Sequence, residues 1–222
     1  EWYKYKEIVG FDCDDVTDWT LKDDLTLTPR DRFKNTPSVY IDMNGSLKIN
    51  GTDPMPLNNL VVEAYPDENM YGRIFSNADG VTVGGELCTH QYLGLKNNWY
   101  FLSLPYDVKV ADITNRNNNP KFAVRYYDGA NRAANGASGS WKNYSADDII
   151  PAGTGFIFQA SEAAEWKFPS QDNANKQNMT SNRMFVKGLA ENPSESASDR
   201  GWNLVGNPYQ SWYNIHKLNF TA

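Results

Sequence analysis

Apolar and polar positions alternate along much of this chain in short runs, each closed by Asn, Gly, Asp or Pro. Val39 and Ile41, Leu47 and Ile49, and Leu60, Val62 and Ala64 recur at a spacing of two, the period of a half-buried strand. This predicts strands over residues 38–42, 46–49, 59–64, 71–75 and 80–85, and again over 99–104, 121–127, 155–159 and 165–168. Asn44-Gly45 and Asn50-Gly51 stand between alternating segments, where both residue types tolerate positive φ, and predict hairpins. Strand-turn units about ten residues apart predict a sandwich or a short solenoid of strands. Residues 2–11 and 26–28 also read as strands, and Pro105 should end the strand that starts at Trp99. Helix is expected only in short pieces, 145–150 and 161–165, with Ser161 placed to cap the latter. Residues 129–140 read as a loose Asn/Ala/Gly/Ser loop, and 170–182 and 190–200 as polar loops.

One pattern occurs twice. Trp99-Tyr100-Phe101-Leu102-Ser103-Leu104-Pro105-Tyr106 and Trp202-Asn203-Leu204-Val205-Gly206-Asn207-Pro208-Tyr209 share Trp-x-apolar-apolar-small-x-Pro-Tyr. The expected job is the same at both sites: a core strand with a buried Trp at its start and an exit set by proline and pinned by a tyrosine ring. The second copy lies close to Ala222 and lacks the strand-rich text that follows the first, so the expectation is a chain that continues or is completed by another chain. The expected fold is all-β, an antiparallel β-sandwich or stacked strand modules. It divides into an N-terminal module, 1–95, and a C-terminal module, 96–222, with an incomplete second repeat from 201.

Residues 201–209 resemble a recurrent segment of large secreted and outer-membrane-associated cell-surface proteins of Bacteroidetes, adhesin-like and β-rich. Residues 98–108 and 150–158 resemble companion segments of the same proteins, so the likeness covers about residues 80–222. The resemblance implies a modular β build, further domains of the same polypeptide and a location at the cell surface or outer membrane, or secretion. It carries no catalytic residues.

Composition narrows the function classes. A formal net charge of -6 with scattered Lys and Arg lacks the basic patch that nucleic acid requires. No apolar run approaches the roughly 20 residues of a membrane-spanning helix. Aromatic residues reach an unusual 14%, with 7 Trp, 13 Tyr and 10 Phe. Rings on loops stack on sugars at small entropic cost. Trp141 and Tyr144 beside the 129–140 loop, and Trp212 and Tyr213 after the second Pro-Tyr, are therefore the candidate ligand-binding residues. The expected function is a non-catalytic surface module for adhesion or glycan binding, with a glycan or a host or matrix surface protein as partner. The alternative is a stalk or spacer segment; a glycan-processing enzyme ranks third.

No catalytic set emerges. His90 and His216 lack metal-ligand spacing, and Cys88-Thr89-His90 does not by itself assemble a thiol nucleophile. Glu63, Glu86, Asp107 and Glu165 are candidates for paired carboxylates, but context singles out no pair. No cofactor is expected, with calcium the one ion considered. Asp12, Asp14, Asp15 and Asp18 crowd carboxylates that would suit it, although the glycine and closing Glu of an EF-hand are missing. Cys13 and Cys88 would bridge in an oxidising compartment and stay free and buried in the cytosol.

Overall fold

The computed structural model describes residues 12–13, 18–27, 32–33, 36–50, 55–76, 81–117, 120–136, 138–171 and 202–212. The chain is mostly β, with several sheets and, among the described residues, one short α-helix. Its first half winds. A first turn of chain carries β1 (Asp12–Cys13), β2 (Asp18–Leu21) and β3 (Asp24–Leu27), and a second carries β4 (Arg32–Phe33), β5 (Ser38–Ile41) and β6 (Ser46–Ile49). A third carries β7 (Met55–Leu57), β8 (Leu60–Tyr65), β9 (Met70–Tyr71) and β10 (Arg73–Ser76), and β11 (Val81–Val83) and β12 (Leu87–Leu93) follow.

Each turn lays its strands parallel on those of the turn before. β2, β5, β8 and β12 form one face, β3, β6 and β10 a second, and β1 on β4 and β7 on β11 lie along the third. The registers stack like on like: Val39, Leu60 and Leu87 align on the first face, and Leu25, Leu47 and Ile74 on the second. Apart from Leu25, these side chains are at most 2% exposed, so the alternation seen in sequence becomes aliphatic ladders inside the stack.

The expected antiparallel hairpins are corrected here. β5 pairs with β2 and β8, and β6 with β3 and β10, so residues 42–45 form a corner between two faces instead of a hairpin turn. Asn44 and Gly45 do not adopt positive φ. Gly45 is there for space: a Cβ on it would lie 2.2 Å from the Leu21 carbonyl oxygen of the preceding turn.

The second half pairs antiparallel. It runs β13 (Trp99–Leu102), β14 (Val108–Lys109), β15 (Thr114–Asn115), β16 (Phe122–Tyr127), α1 (Gly129–Asn135), β17 (Trp141–Asn143), β18 (Ile149–Ile150), β19 (Phe156–Ala160) and β20 (Ala164–Pro169). One sheet has the order β13-β19-β16-β17. β20 adds antiparallel to β12 and β15 to β20, which extends the first coil face into a seven-stranded sheet, with β9 paired beside β8. Phe156, Phe158, Trp166 and Phe168 fill the space between these sheets, all fully buried, with Phe158 edge-on to Trp166 at 5.1 Å.

Tyr106 is the pinned ring expected after Pro105. It is fully buried, with its hydroxyl 2.8 Å from the Phe168 carbonyl and 2.6 Å from Thr89 Oγ1.

The helix expectations are also corrected. Residues 145–150 turn into β18, and 161–165 lead into β20. The α-helix α1 lies in the segment read as a loop, where the Asp128 carboxylate accepts the Asn131 N–H at 2.9 Å and Gly136, at φ 78°, closes the end.

Candidate aromatic binding site

The three segments that carried the family resemblance meet in space. Gly153 N–H donates to the Leu104 carbonyl at 2.7 Å and Gly206 N–H to the Gly153 carbonyl at 3.1 Å. Ser103 Oγ donates to the Asn207 carbonyl at 3.0 Å, and Thr154 bridges Val205. Small residues permit this crossing. A Cβ on Gly206 would fall 2.4 Å from Ser103 Cβ, one on Gly155 2.6 Å from Leu204 Cγ, and one on Gly129 2.4 Å from Asn203 Oδ1.

The second Trp-to-Pro-Tyr segment therefore does not repeat the role of the first. It lies across it, and the expectation of two equivalent core tryptophans is corrected. Trp99 is half-buried, with the Arg125 guanidinium 5.0 Å above its ring, whereas Trp202 is 59% exposed.

That crossing builds a cavity of about 270 Å³ walled by Phe101, Tyr127, Trp141, Trp202 and the Arg132 side chain. Tyr127 and Trp141 meet edge to face at 5.0 Å, which fixes the Trp141 ring on the rim. Their strands hold them opposite one another in the β16–β17 register. A neighbouring cavity of about 420 Å³ includes Tyr71, Tyr209 and Trp212, with Arg73 and Gln91 among its polar groups. Phe101 lines both cavities and is 70% exposed, because it points outward from β13 between the buried Tyr100 and Leu102.

Among the expected ligand-binding residues, Trp141 lines the smaller cavity and Trp212, 72% exposed, the larger. Tyr144 packs against the core and against Tyr126 at 4.9 Å, and burial pushes its hydroxyl up to about 12. Tyr213 lies outside the described residues. Phe101 and Trp202 were missed: both belong to the repeat, and repetition was read as shared burial. The strand alternation Trp99-Tyr100-Phe101-Leu102 already placed Phe101 and Leu102 on opposite faces.

Of the acidic cluster, Asp18 opens β2 and is exposed, Asp12 is placed only by its backbone in β1, and Asp14 and Asp15 lie outside the described residues. Cys88 is a buried free thiol whose pKa is pushed up to about 12, first by burial and then by Glu86. The Cys13 side chain lies outside the described residues.

The structure does single out two of the four carboxylates weighed for catalysis. Glu63 and Glu165 converge with His90 on the outer face of the seven-stranded sheet. Burial, then Glu165, raises the Glu63 carboxyl above its usual range. Burial outweighs the attraction of Glu165 and lowers His90. Sequence spacing could not find this group, because its members come from three separate strands.

No protein-family model, curated protein or solved structure matches this chain. Among the described residues, no helix is long and apolar enough to cross a membrane.

Proposed function

We propose that this chain is a non-catalytic, glycan-binding module of a cell-surface or secreted protein, and that the two cavities joined at Phe101 hold successive sugars of one oligosaccharide. The observation that carries the reading is Phe101 itself. A 70% exposed ring shared by two cavities, with Trp141 and Trp202 in one and Trp212 in the other, offers flat apolar area in both. Sugar rings present apolar C–H faces and polar rims. Aromatic platforms fit the faces, and Arg132, Asn203, Arg73 and Gln91 line the same walls with groups suited to hydroxyls. The absence of a basic patch in the sequence and the cavities' mixed lining favour a neutral or mildly acidic glycan over a nucleic acid.

A second reading, a stalk or spacer segment, is favoured by the parallel stacking of the first half. Stacked turns of chain, each paired in register with the turns before and after it, extend along one axis.

Glycan-array screening followed by titration separates the two. The binding reading expects an oligosaccharide ligand whose Kd rises about tenfold on Phe101→Ala, the loss of roughly 1.4 kcal/mol of ring contact. Trp141→Ala and Trp202→Ala should act in the same direction, and Tyr144→Phe should leave binding unchanged. Binding that is indifferent to all three aromatic substitutions, or no glycan bound at all, sinks it and leaves the spacer.

A further inference from the structure

We infer that Glu63, His90 and Glu165 form a binding site for a transition-metal dication, Zn²⁺ or Mn²⁺, on the outer face of the seven-stranded sheet, separate from the aromatic cavities. Three neighbouring strands supply one ligand each. His90 in β12 stands opposite Glu63 in β8 across a parallel pair, and Glu165 follows on β20, antiparallel to β12. One ligand atom from each residue lies within 4.8 Å of the others, and His90 Nδ1 is 3.5 Å from a Glu165 oxygen. In a tetrahedral site with bonds of about 2.1 Å the ligand atoms sit about 3.4 Å apart, so closure needs only small side-chain rotations.

The surroundings are those of a site and not of a solvated surface pair. The three residues share a cavity of about 350 Å³ with Met43, Tyr65, Met70 and Tyr92, and the His90 side chain is 12% exposed. Tyr65 and Tyr92 lock edge to face at 4.8 Å on its wall. Tyr40 from β5 donates its hydroxyl to the Glu63 carboxylate and packs edge-on to His90, ring centres 6.4 Å apart. A hydrogen bond to a ligating carboxylate is the outer-shell contact that orients metal ligands.

Charge points the same way. Two partly buried carboxylates face a single imidazole, with Lys167, paired with His90 in register, as the nearby cation on β20. A dication compensates both carboxylates at once, which a neutral imidazole cannot. One nitrogen and two carboxylate oxygens suit Zn²⁺ or Mn²⁺, whereas an imidazole among so few oxygens disfavours Ca²⁺ and Mg²⁺.

The test is calorimetric titration of chelator-stripped protein with ZnCl₂ and MnCl₂, with circular dichroism to verify that each variant is folded. Wild type should bind one ion. His90→Gln and Glu165→Gln should each abolish that saturable site, Tyr40→Phe should weaken it about tenfold, and His216→Gln should leave it intact. A wild type that takes up neither metal overturns the proposal, as does one-site binding that survives both ligand substitutions. Glycan binding by the Phe101 cavities is read out independently and can fail or succeed without affecting this result.

Discussion

The wound first half and the antiparallel second half share one hydrophobic core but fill it with different side chains. Between Leu21 and Leu93 the buried positions are overwhelmingly Leu, Val and Ile, repeated at the same level from one turn to the next. From Tyr100 to Phe168 the core adds large rings to such aliphatics: Tyr100, Tyr106, Phe156, Phe158, Trp166 and Phe168. On strands stacked parallel and in register the same position recurs at each level, and branched aliphatics laid like on like fill the ladder. The antiparallel half closes the space beside the coil stack with a few large rings and leaves others, Phe101 and Trp141, exposed.

The largest expected break in this comparison is at Trp166. It is the largest fully buried side chain, packed edge to face against both Phe122 and Phe158. Trp166→Ala should cost about 4 kcal/mol in urea unfolding, whereas Ile74→Val in the ladder should cost about 1 kcal/mol, because only one methylene leaves a site flanked by like side chains. Equal losses would mean that the two halves do not divide their packing as described.

Next in size is a substitution that touches no core side chain. Gly45→Ala places a methyl against the Leu21 carbonyl, and that oxygen is already held by the Asp42 N–H at 2.9 Å and cannot retreat freely. The expected loss is about 3 kcal/mol, at the upper end of overpacking. A neutral Gly45→Ala in the same urea assay would show that adjacent turns of chain are less closely stacked than their registers imply.

Gly45 also shows where sequence reading succeeds and fails. The alternation of Val39 and Ile41, Leu47 and Ile49, and Leu60 and Val62 correctly assigned strands and inward faces, because that signal is local. The partners of those strands were misassigned. An Asn-Gly between two alternating runs has the same local appearance in a hairpin as in a coil corner, and only the next turn of chain, some twenty residues away, decides between them. β12, the longest strand among the described residues, had no assignment because Cys88-Thr89-His90-Gln91 does not alternate visibly: Thr89 and Gln91 point inward although polar. The residues lining the cavities divide in the same manner. Trp141 and Trp212 were legible as rings beside loops. Trp202 was not, since its exposure follows from one repeat lying across the other, and the Glu63–His90–Glu165 group exists only through strand order.

The smallest of these effects tests the joint between the two halves. The Tyr106 hydroxyl reaches Thr89 on β12, from the wound half, and the Phe168 carbonyl on β20, from the antiparallel half, with both contacts buried. Burial holds the phenol well above its usual range, so the hydroxyl keeps its proton at both pH 6 and pH 9. Tyr106→Phe preserves the ring and its packing but leaves Thr89 Oγ1, on a residue 2% exposed, without this partner. The cost should be about 2 kcal/mol, the penalty of stranding a buried polar group, and it should be the same at pH 6 and pH 9. A Thr89→Val, Tyr106→Phe double variant should recover part of that loss, because removing both polar groups leaves less to desolvate. If the single variant were instead as stable as wild type, the two halves would be joined by ring packing alone, and the β12–β20 pairing would carry the joint without help from the hydroxyl.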